Sequence, residues 1–141
     1  MNFSFFTLHN MVSFGRILTY TIKKAHPKSS VIQISDYKTP IIKEADYIVR
    51  HEFTKSHLMY NRIEAYIIAM EKYGPIIFLD PDMIVIKDLS ELNELLINYD
   101  FIVTKRKKNF PLKSTFMGFS FPEFKNKMVL ETMPYNGGFM A

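Results

Sequence analysis

The run Ile76-Ile77-Phe78-Leu79-Asp80-Pro81-Asp82 sets an uninterrupted apolar strand directly before two carboxylates separated by a single proline. Four consecutive apolar residues leave no polar face. A strand built from them has to be covered on both sides, as strands are inside an α/β sheet. Such sheets bind ligands at the carboxyl ends of their strands, which is where Asp80 and Asp82 stand. In an extended chain the side chains of residues i and i+2 share a side, so the spacing predicts that the two carboxylates converge. Pro81 fixes its own φ near about −65° and drives Asp80 out of the helical region, so the tripeptide is expected to stay extended or to turn tightly. Carboxylates that close repel one another. A hard cation such as Mg²⁺ or Mn²⁺ relieves the repulsion and draws its remaining ligands from water and phosphate oxygens. The competing reading is an acidic pair that caps a strand and faces water, as most turn aspartates do.

Around this motif, strand-like and helix-like segments alternate without repeats or low-complexity linkers, the pattern of an α/β fold. Asn2 to Leu8 reads as a strand. Ser13 is placed to cap a helix with Phe14, Ile17, Leu18, Ile22 and Ala25 on its apolar face, ended by Pro27. Val31 to Ile34 and Tyr47 to Val49 read as strands on either side of a polar turn around Tyr37 to Pro40. A long helix follows from Ser56 to Tyr73, with Met59, Ile63, Tyr66, Ile67 and Met70 at helical spacing and Gly74-Pro75 as its stop. Beyond the aspartates Met83 to Ile86 continues apolar. Asp88 and Glu91 then suggest a capping box for a helix presenting Leu89, Leu92, Leu95 and Leu96, before a strand over Phe101 to Thr104. Asn109 to Pro134 is loop-rich, with a short helix expected around Glu123 to Thr132. Tyr135 to Ala141 reads as the start of a further strand or strand-helix unit, although Asn-Gly-Gly by itself is an ordinary hairpin turn.

At 141 residues the chain is one domain's worth, residues 1–141. A hydrophobic content of 48% with 15% aromatics excludes disorder, and no apolar stretch approaches the roughly 20 residues of a membrane span. The first residues carry neither a basic region nor a small-residue cleavage site, and there is no cysteine, so a cytoplasmic location is expected. The net charge of +4 is concentrated in Lys105-Arg106-Lys107-Lys108. That cluster reads as a solvated loop or as a contact for phosphate, for anionic lipid at the inner face of a membrane, or for an acidic acceptor. No nucleic-acid-binding motif or long basic face accompanies it, so nucleic acid is not an expected partner.

With the segments in order, the chain resembles the nucleotide-sugar glycosyltransferases of the GT-A fold, the glycogenin-like and galactosyltransferase-like members and their bacterial relatives. The likeness is carried by YNRIEAYIIAMEKYGPIIFLDPDMIVIKDLSEL and PYNGGFMA, and within them the Asp-x-Asp strand and the Asn-Gly-Gly segment are the sharp elements. The resemblance implies a GT-A-like, Rossmann-related mixed sheet flanked by helices. It implies that Asp80 and Asp82 hold Mn²⁺ or Mg²⁺ against the diphosphate of a nucleotide sugar, UDP-linked by preference, with Asp80 also reaching ribose or sugar hydroxyls. Arg62 resembles the basic residue that contacts the diphosphate or donor sugar, a task suited to a bidentate guanidinium. Thr7, Leu8 and His9, with Asn10, resemble the segment lining the base and ribose. Asn136, Gly137 and Gly138 resemble the segment that meets the donor sugar, where glycine lets the backbone come close. In the family a histidine toward the C-terminus completes the metal site and the acceptor residues lie nearby. The resemblance therefore implies a chain truncated within the fold. The setting implied is surface-glycan assembly on a glycan or lipid-linked acceptor. Two alternatives stay open: a degenerate GT-A-like domain that binds without turnover, and a haloacid-dehalogenase-like phosphatase, which also carries Asp-x-Asp after an apolar strand but on its first strand.

Overall fold

A computed structural model describes residues 1–54, 58–100, 102–105, 115–116, 119–120 and 135–140. Its centre is a six-stranded sheet in the order β3-β2-β1-β4-β8-β5, built from β1 (Asn2–Phe6), β2 (Ser30–Ser35), β3 (Tyr47–Arg50), β4 (Ile77–Leu79), β5 (Val103–Lys105) and β8 (Tyr135–Met140). The first four strands are mutually parallel, and β8 runs antiparallel between β4 and β5. Two short strands, β6 (Thr115–Phe116) and β7 (Phe119–Ser120), form a separate antiparallel pair. The helices are α1 (Val12–Ala25), α2 (Leu58–Tyr73) and α3 (Glu91–Asn98).

Because the strands are apolar on both faces, alternate residues feed two cores. Phe3, Phe5, Val31, Ile77 and Leu79 pack with Leu18 and Ile22 of α1. Phe6, Ile32, Ile34, Val49 and Phe78 pack with Ala65, Tyr66 and Ala69 of α2 on the other face. The result is the mixed α/β sandwich that the strand pattern implied.

The helix faces differ from the sequence-based expectation. α1 turns inward Gly15, Leu18, Thr19 and Ile22, while Phe14 and Ile17 are 48% and 52% exposed. Gly15 explains the rotation. A Cβ there would lie 2.8 Å from a ring carbon of Phe5 and 2.9 Å from the Ile42 side chain, so the absent side chain is what allows the helix to settle on the sheet. Thr19 hides its polar atom by donating to the Gly15 carbonyl at 2.8 Å. Ser13 lies inside the first turn of α1 and makes no cap, because a 3-10 turn over His9–Met11 leads straight into the helix at Val12. Likewise α2 buries Asn61, Ala65, Tyr66 and Ala69, leaving Ile63, Ile67 and Met70 about half exposed. Its predicted start at Ser56 and the side chain of Met59 lie outside the described residues. Gly74 ends α2 as expected, with φ of 75° and its amide donating to the Met70 carbonyl at 2.9 Å.

The predicted capping box of Asp88 and Glu91 does not form. Asp88 Oδ1 instead accepts from the Ser90 amide at 2.8 Å and from the Ser90 hydroxyl at 2.6 Å, a local turn that delays the helix to Glu91. Met83 to Ile86 is loop, held against α1 by the Val85 amide donating to Thr21 Oγ1 at 3.1 Å. The pair β6 and β7 falls in the stretch read as loop. The short helix expected at Glu123 to Thr132 lies outside the described residues.

The link from β2 to β3 is tied by buried polar groups. Gln33, fully buried on β2, donates from Nε2 to the Pro40 carbonyl at 2.9 Å and accepts from the Ile42 amide at 2.7 Å. Asp36 Oδ1 accepts from the amides of Lys38 and Thr39 and from the Thr39 hydroxyl at 2.6 Å. Those bonds, the Thr39 hydroxyl first, hold the Asp36 carboxyl below its ordinary value of 3.8. A carboxyl lowered by folding adds stability above its unfolded pKa and loses that contribution as pH falls through the lower, folded value. Wild type is therefore expected to melt above Asp36→Ala at pH 7, by about 1 kcal/mol of stability. The gap narrows once the pH falls below the ordinary carboxyl value and closes as the folded carboxyl protonates at its lower one. Thermal melts of both proteins across pH 7 to 2.5 check it; a gap independent of pH would contradict the assignment.

Candidate functional site

The chain lays down β1, then β2 and β3 to one side, and returns across the sheet to place β4 on the other side of β1. Neighbouring strands whose connections leave in opposite directions open a crevice between their carboxyl ends, the usual ligand position in such sheets. Asp80 follows β4 at this point and Thr7-Leu8 follows β1.

The Asp-Pro-Asp segment is turned, not extended. The Met83 amide donates to the Asp80 carbonyl at 3.0 Å, closing a four-residue turn with Pro81 at its second position, where the proline ring fits best. The i, i+2 geometry of a strand therefore does not apply. Instead Asp80 stays half-buried beneath the turn and Asp82 stands exposed above it, both lining one cleft.

Arg62 reaches this turn from α2. Its Nη2 lies 2.7 Å from Asp80 Oδ1, its Nε donates to the Tyr66 hydroxyl, and its guanidinium carbon sits 5.3 Å from the Tyr66 ring centroid. Tyr66 is fixed in turn against Phe78 of β4, with ring centroids 4.1 Å apart. Burial pushes the Tyr66 phenol up to about 12 against the opposing pull of Arg62, so it is neutral at physiological pH. Burial also raises the Asp80 carboxyl; Arg62 works against this, and the charge of Asp82 adds to it. The Asp80 carboxylate is thus only partly compensated by its arginine.

The cleft holds about 310 Å³. Phe6, Leu8, Met11, Leu58 and Pro81 supply apolar walls, and Asn10, Arg62, Asp80 and Asp82 supply polar ones. Of the residues singled out in the sequence, Leu8, Asn10, Arg62, Asp80 and Asp82 meet here. Thr7 does not line the cleft: it is buried, its amide donating to the Ile34 carbonyl at 2.9 Å and its hydroxyl to the Leu8 carbonyl at 3.3 Å. His9 lies exposed in the 3-10 turn, also outside the lining. Asn136, Gly137 and Gly138 belong to β8 and not to a hairpin turn. The antiparallel pairing of β8 with β4 ends at Leu79↔Phe139, so Gly138 stands next to that last pair in the strand. Lys105 ends β5, and Arg106, Lys107 and Lys108 lie outside the described residues. Sequence reasoning did not single out Met11, Leu58 or the polar partner role of Tyr66; the i, i+4 spacing of Arg62 and Tyr66 was the available signal for the last.

Two carboxylates with hard oxygen donors, one of them under-compensated, suit a hard divalent cation. Among the described residues no group of three or more His, Cys, Asp or Glu side chains gathers at one point. No helix of the described residues is long and apolar enough to cross a membrane.

A mixed sheet flanked by helices, with a parallel four-stranded part and an Asp-x-Asp turn at its switch point, is a GT-A-like fold. The chain belongs to glycosyl transferase family 8, whose sequence profile matches residues 11–141. The match takes in Arg62, Asp80, Asp82 and Asn136 to Gly138, and begins just after Thr7, Leu8 and His9. No curated protein matches the chain.

Proposed function

We propose that the cleft is the donor site of a glycosyl transfer enzyme. It takes a nucleotide-diphosphate sugar, UDP-linked by preference, together with Mn²⁺ or Mg²⁺, and serves transfer to a glycan or lipid-linked acceptor. The observation that carries this reading is the Arg62–Asp80 pair at the carboxyl ends of β1 and β4, within one cleft that also holds Asp82. The apolar walls from Phe6, Leu8 and Met11 suit a base and ribose, while Asn10 offers an amide for hydrogen bonding at their edge. The Nη edge of Arg62 suits paired phosphate oxygens. Asp80 and Asp82 would hold the cation, which when bound neutralises the charge that builds on a departing nucleoside diphosphate. Gly137 and Gly138 of β8, the strand paired with β4, would offer backbone without side chains to a sugar bound beside the turn.

Calorimetric titration of UDP, then UDP-glucose and UDP-galactose, with and without Mn²⁺, tests the reading. Binding that requires the metal is the expected result. Equal binding in its absence, or none by folded protein, would overturn it.

A further inference from the structure

The cleft already contains a cation of the protein's own. Asp80 is half-buried, and its nearest positive charge is Arg62 at 2.7 Å. Arg62 in turn is gripped from behind: its Nε is held by the Tyr66 hydroxyl and its plane lies by the Tyr66 ring, which is buried against Phe78. On the cleft side its Nη2 lies against Asp80 Oδ1. A divalent ion bound to the same carboxylate at about 2.0–2.6 Å would stand beside the guanidinium, and the two positive charges repel. Arg62 must then give up its Asp80 oxygen, and an incoming diphosphate offers it planar, paired oxygens in exchange.

We propose that Arg62 is a resident counter-ion of Asp80, passed from that carboxylate to the diphosphate of the donor as the divalent ion arrives, with Tyr66 the positioning residue that keeps it within reach of both. The inference rests on the donor-site reading and extends it to the order of charge exchange. It has a consequence that a simple phosphate contact lacks. Arg62 opposes metal when metal comes alone, yet favours the metal and the diphosphate when they come together, a coupling that linkage makes reciprocal.

Binding of Mn²⁺ alone, followed by the paramagnetic resonance signal of the free ion, tests this on wild type, Arg62→Met and Tyr66→Phe, with UDP affinity at saturating Mn²⁺ as the second readout. Arg62→Met is expected to bind Mn²⁺ alone more tightly by about tenfold and UDP more weakly by a similar factor, within the usual range of coupling between sites. Tyr66→Phe keeps the ring and its packing and is expected to move both affinities in the same directions by less. The opposite signs are decisive. Mn²⁺ affinity that is unchanged or weaker in Arg62→Met overturns the exchange; if UDP binding also falls, the donor-site reading stands without it. Failure of folded wild type to bind either Mn²⁺ or UDP overturns both.

Discussion

Asp82→Ala is expected to lower the Mn²⁺-dependent affinity for UDP by on the order of 100-fold or more, since it removes a direct ligand where loss of an outer-shell partner alone costs 10–100-fold. The same change should leave the fold almost untouched, because Asp82 is exposed at the tip of the turn and surface substitutions usually stay within about ±0.5 kcal/mol. That separation makes it the cleaner of the two aspartate variants. Removing Asp80 would also remove the carboxylate that pairs with Arg62 in a half-buried setting, and binding loss would mix with local rearrangement. Calorimetry and a melting curve on one sample measure both quantities. Retained metal-dependent binding with an unchanged melting point would place the metal elsewhere.

Phe5→Ala should be the most damaging of the stability changes, costing about 3–5 kcal/mol as large buried aromatic truncations do. Phe5 is fully buried and sits under the one place where α1 has no side chain, with Gly15 pressed against its ring. The helix already rests on the sheet there, so it cannot move in to fill the space. Against the 5–15 kcal/mol that hold a typical domain together, the loss should lower the melting temperature by roughly 10–20 °C. A shift of only a few degrees would mean that the core between α1 and the sheet repacks freely.

The strands and the place of the aspartate pair at the end of β4 were legible because their signals are local. Consecutive apolar residues at Ile76 to Leu79 admit only a strand covered on both faces, and charged residues beside such a strand stand out. The inward faces of the helices were not legible, because hydrophobic weight and closeness of approach pull in different directions. Phe14, Ile17, Ile63 and Ile67 are the heavier apolar residues, yet Gly15, Thr19, Ala65 and Ala69 are the ones that let a helix lie near the sheet. Close packing won on both helices. Asp88 shows the same kind of competition at smaller scale, where a bond to Ser90 displaced the helix cap predicted from spacing. Pro81 was compatible with an extended or a turned segment, and only the Met83 amide on Asp80 distinguishes them. Tyr66 is core, as its helical spacing implies, but its hydroxyl also accepts from Arg62 one turn earlier on α2, a relation for which the i, i+4 spacing was the only signal in the sequence.

The proposed position of a metal-bound nucleotide, at the carboxyl ends of β1 and β4, can be measured directly. Mn²⁺ added with UDP to ¹⁵N-labelled protein broadens the amide signals nearest the ion. The strongest losses are expected at Leu8 to Met11, Arg62, Asp80 and Asp82, and the weakest at Ser29, Ser30 and Asp88, at the other end of the sheet. Losses centred on Asp88 or on the Asp36 turn, or no selective losses in the presence of UDP, would contradict the account.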